Sequence, residues 1–188
     1  MLRRLVVAGF LVVAASVAAA GPIAEKAIEA ERLLDAGRPL EAAQALDAAV
    51  EAAWQEMPLT VRNIQQVTEA TGYGVYVPRE SHVYKPGEKL FVYAELLGYQ
   101  LGQDPIGNKL IATDLGIKLK NETGKTLVNI DKGFSFAQAV RVFNKEFFFK
   151  VDLNFKGAPP GKYIAELTVT DRASSKSTTF EIPFEIAL

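Results

Sequence analysis

Two periodicities divide the chain. From Pro22 to Met57 apolar residues recur three and four apart, at Ile23, Ala27, Ala30 and Leu34, then at Leu40, Ala43, Leu46, Val50 and Trp54. That spacing puts side chains on one face of a helix. Gly37-Arg38-Pro39 interrupts it, because glycine ends helices readily and proline suits a first turn. Two antiparallel helices joined by a short turn are therefore predicted over residues 23–57.

After Pro58 the period falls to two. Candidate strands run from Val61 to Glu69, Gly74 to Val77, Lys89 to Gly98, Leu110 to Lys120, Lys125 to Ile130, Lys145 to Lys156, Lys162 to Asp171 and Ser177 to Ile186. In the first, Val61, Ile64 and Val67 suit a helix as well. Lys85-Pro86-Gly87-Glu88 has proline preset at the second turn position and glycine free for the left-handed third, as a type II turn requires. Asn121-Glu122-Thr123-Gly124 and Arg172-Ala173-Ser174-Ser175 are predicted hairpin loops. The run Gly157 to Gly161 holds two prolines that have no amide hydrogen for a ladder, so it reads as an external connection.

Alternation assigns the faces. Phe147, Phe149, Val151, Leu153 and Phe155 point to a core, against Glu146, Phe148, Lys150, Asp152 and Asn154. Phe180, Ile182, Phe184 and Ile186 do the same in the last strand, as do Leu115, Ile117 and Leu119 earlier. Several short antiparallel strands, each with one wet face, make a two-sheet sandwich. Phe148 is the outlier on its outer face, and between Leu90 and Leu97 both alternating sets are largely apolar. A strand apolar on both faces is normally covered on both. The helical hairpin, with its own stripe ending in Trp54, is the expected cover, and Phe148, Phe91, Tyr93 and Trp54 are the candidate partner surface if it is not.

The N-terminus carries a different signal. Met1-Leu2-Arg3-Arg4 is basic, Leu5 to Val17 is an uncharged apolar run of about 13 residues, and Ala18-Ala19-Ala20 offers a small-residue cleavage site. The run falls short of the roughly 20 residues of a membrane-spanning helix. The expectation is a signal peptide over 1–20, a helical hairpin over 21–57 and a β domain over 58–188, with a periplasmic or secreted product that meets the membrane only during export. Without Arg3 and Arg4, 19 of the 21 basic side chains remain against 22 acidic ones. No basic stripe for nucleic acid is left. The chain has no cysteine, which excludes disulfides, thiolate metal sites and thiol nucleophiles.

Two segments resemble known families. Leu33-Leu34-Asp35-Ala36-Gly37-Arg38-Pro39-Leu40-Glu41-Ala42, with Leu46 and Ala49, looks like the turn and second helix of a tetratricopeptide repeat, present once where a solenoid needs about three. Pro160-Gly161-Lys162-Tyr163, Leu167 to Asp171 and Lys176 to Ile186 resemble the closing hairpin of bacterial immunoglobulin-like or fibronectin-like modules. Val61-Arg62-Asn63, Gly72 to Tyr76 and Tyr84 to Glu95 are similar to uncharacterised exported bacterial proteins bearing such a domain. The resemblance implies a mainly β fold, an antiparallel two-sheet immunoglobulin-like sandwich with an N-terminal helical hairpin, and an envelope location; no activity comes with it.

Candidate chemistry is sparse. His82 is the only histidine, so no histidine pair can bind a metal, and no nucleophile-elbow pattern surrounds any serine. Glu41, Glu51, Glu181 and Glu185 lie on polar faces, and Asp104, Asn108, Asp114 and Asp131 fit no calcium-loop spacing. Gly72-Tyr73-Gly74 lacks the helix that a phosphate cradle needs. The loop from Leu101 to Asn108 is the longest polar excursion between strong strands, where a ligand loop would be sought first. These features predict a non-catalytic cell-envelope module, without catalytic residues, cofactor or metal, that recognises a protein or glycan. Alternatives are a structural protein forming a homo-oligomer through the hairpin, and a carboxylate-based hydrolase or enzyme accessory domain.

Overall fold

The computed structural model describes residues 21–188, and the predicted signal peptide lies outside the described residues. Two helices come first, α1 (Pro22–Asp35) and α2 (Pro39–Glu56), each opening on a proline. Gly37 between them has φ +70°. The Gly37 amide donates to the Leu34 carbonyl and the Arg38 amide to Leu33, the paired bonds of a Schellman cap. None of the described helices is long and apolar enough to cross a membrane.

Burial on the helices departs from the predicted stripe. Ala30, Ala42, Ala45, Ala49 and Trp54 are buried, whereas Leu34, Leu40 and Leu46 are 55%, 72% and 47% exposed, and Ile23 and Val50 are exposed too. Successive helical residues differ by about 100°, so a stripe through Ala42, Ala45 and Ala49 lies one step from a stripe through Leu46 and Val50. Both keep the same spacing, and ranking residues by size selects the wrong one. The residues up to Ala49 and those from Val50 onward form two compact units, with the boundary inside α2.

Ten strands follow: β1 (Thr60–Gly72), β2 (Val75–Pro78), β3 (Val83–Tyr84), β4 (Lys89–Leu97), β5 (Gly102–Gln103), β6 (Lys109–Asn121), β7 (Thr126–Val140), β8 (Phe148–Asn154), β9 (Gly161–Asp171) and β10 (Ser177–Ile186). One sheet has the order β2-β1-β4-β8. The other runs β3-β10-β9-β6, with β7 also pairing β6 and the short β5 pairing the first residues of β6. Because β7 and β9 both pair antiparallel with residues 113–120 of β6, they flank it on opposite sides. Pairing is antiparallel except between β3 and β10. The predicted two-sheet sandwich with two N-terminal helices is the observed architecture.

The core is what alternation assigns. Leu90, Val92, Ala94 and Leu96 of β4 lie opposite Leu153, Val151, Phe149 and Phe147, all buried. Across from them sit Leu115 and Leu119 of β6, Ala165, Leu167 and Val169 of β9, and Phe180, Ile182, Phe184 and Ile186 of β10. At one end the Asp171 carboxylate, fully buried, accepts amides from Gln100 at 3.0 Å and Ser174 at 3.1 Å.

Four strands are ambiguous, cut short or missed in the sequence reading, for identifiable reasons. β1 is a strand, and its helical look comes from a bulge. Val61 lies opposite Leu96 and Gln66 opposite Val92, with a register shift between Arg62 and Gln65 and Asn63 at φ 49°. The extra residue stretches the inward spacing from two to three, Val61 to Ile64. The strand predicted to stop at Ile130 continues to Val140, because residues 131–133 bulge between the Ile117–Ile130 and Leu115–Phe134 pairs. A Cβ on Gly116 would lie 2.8 Å from the Asp131 carbonyl oxygen, so glycine admits that bulge. β3 and β5, two residues each, carry no alternation to read.

Candidate functional site

The four residues of the predicted partner surface fall into two groups. Tyr93 is fully buried on the outer face of β4, with Tyr76 of β2 at 4.5 Å on one side and Phe148 at 5.4 Å on the other, ring centroid to ring centroid. Phe91 and Phe148 are half-buried on that face, and the Lys150 ammonium sits 4.7 Å from the Phe91 ring centroid. Trp54 is elsewhere, buried edge-on against Tyr99 at 5.4 Å and Phe143 at 5.5 Å. Tyr93 and Trp54 offer no surface.

Around Tyr93 lies a closed polar cluster. Its hydroxyl accepts the Gly74 amide at 2.7 Å and donates to Glu95 at 2.9 Å, and Arg62 donates to Glu95 at 2.8 Å. Arg62 also bonds the Tyr73 hydroxyl. Desolvation pushes the Glu95 carboxyl up, but hydrogen bonds from Asn63, Arg62, Tyr93 and Tyr73 outweigh it and hold the group below the usual carboxylate range. Burial, aided by the neighbouring Glu95 charge, pushes the Tyr93 phenol up to about 12. Every group is satisfied, so the cluster holds the β1–β2 hairpin over β4 rather than waiting for a ligand.

The open part of the molecule is the side between β7 and β8. A cleft of about 650 Å³ is lined by Ile117 and Leu119 of β6, Val128, Ile130 and Phe134 of β7, Leu153 of β8, Phe155 and Tyr163. Register puts Val128 opposite Leu119 and Ile130 opposite Ile117, so all four point toward the sandwich interior. Yet Val128 and Ile130 are 43% and 45% exposed, whereas Leu119 is 5% exposed. Strand alternation alone missed this site, since the prediction placed a strand there and had no means of telling that nothing lies opposite it. The available signal was Val128 and Ile130 in a segment beside Leu153 and Phe155.

The other candidates resolve into ordinary structure. Asp104 closes its own loop, accepting the Ile106 and Asn108 amides at 3.0 and 2.8 Å and the Asn108 side chain at 2.8 Å. The exposed His82 gives its carbonyl to the Glu185 amide at 3.0 Å. Glu166 pairs with Lys118 at 2.8 Å and with Lys120, which also reaches Glu181 at 3.2 Å. Those two lysines hold the Glu166 carboxyl below its usual range. Among the described residues no cluster of three or more acidic or histidine side chains could hold a metal ion.

No family model and no curated protein matches the chain. Among solved structures it is similar to an alkylpurine DNA glycosylase from Pseudomonas fluorescens bound to DNA containing an abasic site analogue, at 12% identity and a TM-score of 0.38, covering 82% of this chain and 40% of that one. A family 123 glycoside hydrolase from Clostridium perfringens aligns at 16% identity and a TM-score of 0.41, covering 69% of this chain and 28% of the hydrolase. A CARDB domain from Pyrococcus furiosus in complex with di-metal ions aligns at 16% identity and a TM-score of 0.31, covering 68% and 88%. The chain thus spans well under half of the two enzymes it aligns with, and likenesses at this level carry no functional argument.

Proposed function

We propose that the protein is a non-catalytic binding module of a bacterial cell envelope, exported through its N-terminal signal, and that it recognises a protein partner through the β7–β8 side of the sandwich. The observation that carries this reading is the apolar cleft of about 650 Å³ whose floor residues Val128 and Ile130 face inward but lie uncovered. Clefts of roughly 300–1,000 Å³ with apolar linings are the usual form of a recognition site.

The test is photo-cross-linking in the producing cell. A photoreactive amino acid replacing Val128 is expected to capture a discrete envelope protein, whereas the same group at Thr179, exposed on the outer face of β10, captures none. Equal capture at both positions, or none at either, removes the reading.

A further inference from the structure

We infer that the β7–β8 side receives an extended segment of the partner polypeptide, which pairs as an added strand with the free edge of β8 and turns alternate apolar side chains into the cleft. This deepens the binding-module reading and rests on it.

The sandwich is unequal in width. The second sheet is five strands across, β3, β10, β9, β6 and β7, while the first has four, and its β2 brings Tyr76 against the outer-face residue Tyr93. The first sheet ends at β8, whose Phe149 stacks on Phe136 in the second half of β7 at 6.3 Å, and no further strand covers the first half of β7 at Val128 and Ile130. That absence is why Val128 and Ile130 are exposed while their cross-strand partners Leu119 and Ile117 are covered more fully.

The edge beside this gap has a definite hydrogen-bonding parity. The Leu96 amide donates to the Phe147 carbonyl at 3.1 Å, which makes Leu96–Phe147 a bonded pair of the β4–β8 ladder. In an antiparallel ladder bonded and non-bonded pairs alternate. Phe149, Val151 and Leu153 therefore turn their backbone groups to β4, and Lys150 and Asp152 turn theirs to the free edge. A strand placed there would lie about 4.8 Å from β8 and about 10 Å above β7, the ordinary spacings within and between sheets. Its inward side chains would cover Val128 and Ile130.

Two features thus adjoin: outward backbone groups on β8, of which the Asp152 amide bonds its own carboxylate and the Lys150 amide is turned to the free edge, and an uncovered apolar floor on β7. An acyl chain satisfies only the floor. An extended polypeptide with apolar residues at every second position satisfies both, as in recognition by strand addition.

The test uses a fluorescein-labelled nonapeptide of alternating threonine and valine with lysine at each end, against a peptide of the same composition with its valines contiguous. Fluorescence anisotropy on the full chain is expected to show the alternating peptide binding at least tenfold more tightly. Hydrogen exchange of the Lys150 and Asp152 amides should slow at least tenfold in its presence, a readout that requires no substitution. Lys150→Pro, which removes one outward donor from an edge strand, and Ile130→Asp, at a half-exposed site, should each weaken binding at least tenfold. No binding up to millimolar peptide, or binding indifferent to Lys150→Pro, overturns the proposal. So does tight binding of tetradecanoate that Ile130→Asp abolishes and Lys150→Pro spares, which would make the occupant an acyl chain. A concentration-dependent dimer that both substitutions dissolve would make it a second copy. If the residue-128 cross-link persists while no peptide binds, strand addition fails and the binding-module reading stands; if neither is seen, both fail.

Discussion

Pro58 and Gly98 meet backbone to backbone: a Cβ on residue 98 would lie 2.4 Å from the Pro58 carbonyl oxygen, and Gly98 holds φ +74°. The chain enters β1 and leaves β4 at this point, since Thr60 pairs with Leu97. Gly98→Ala therefore faces both a disfavoured backbone conformation and a contact with backbone that cannot swing away. Together these should cost about 3 kcal/mol, or about 10 °C in Tm for a domain of this size. Thermal denaturation followed by circular dichroism checks it, and a Tm within 2 °C or so of the parent would show that the two segments separate freely.

Trp54, the only tryptophan, is 5% exposed and its indole nitrogen has no hydrogen-bond partner. Its value lies in ring packing against Tyr99 and Phe143. Trp54→Ala should cost about 3–5 kcal/mol. Trp54→Phe should cost less than half of that, because it surrenders no hydrogen bond and keeps an aromatic ring. Urea titration of both variants decides the matter, and equal losses would mean that the indole nitrogen has a partner in solution.

The Tyr93–Glu95 pair makes stability depend on pH at both extremes. A folded carboxyl held below its unfolded value stabilises the fold above the ordinary carboxylate range and loses that contribution as pH falls through the folded value. The Tyr93 phenol, raised to about 12, stabilises the fold fully below about 10 and loses the effect as pH rises through about 12. Glu95→Gln should flatten the acid limb of a denaturation-versus-pH curve, and Tyr93→Phe should flatten the alkaline limb. A mutant curve parallel to the parent curve at the acid end would remove Glu95 from that account.

Most of the β fold was legible because the core strands other than β4 keep one wetter face, as Phe149, Val151 and Leu153 show against Lys150, Asp152 and Asn154. Ser177 to Ile186 was read to the residue. Legibility failed where a long-range partner changes the count. The bulge at Asn63 made a strand look helical, and the bulge at residues 131–133 hid the second half of β7. On the helices Ala45 and Leu46 are adjacent, and only packing distinguishes their faces. The cleft was invisible for a related reason: Val128 carries the same alternation as Leu119, and alternation reports which way a side chain points, not whether anything lies there.

The parallel pairing of β3 with β10 has a consequence for the order of biogenesis. Val83 and Tyr84 lie beside Glu185 and Ile186, and β10 sits between β3 and β9 rather than at a rim. During synthesis, Phe180, Ile182, Phe184 and Ile186 emerge directly after their hairpin partner β9 and long after the facing residues of β4. A nascent chain halted before β10 carries an incomplete sandwich with its apolar interior open on that side. The sandwich is therefore completed only after translation has passed β10.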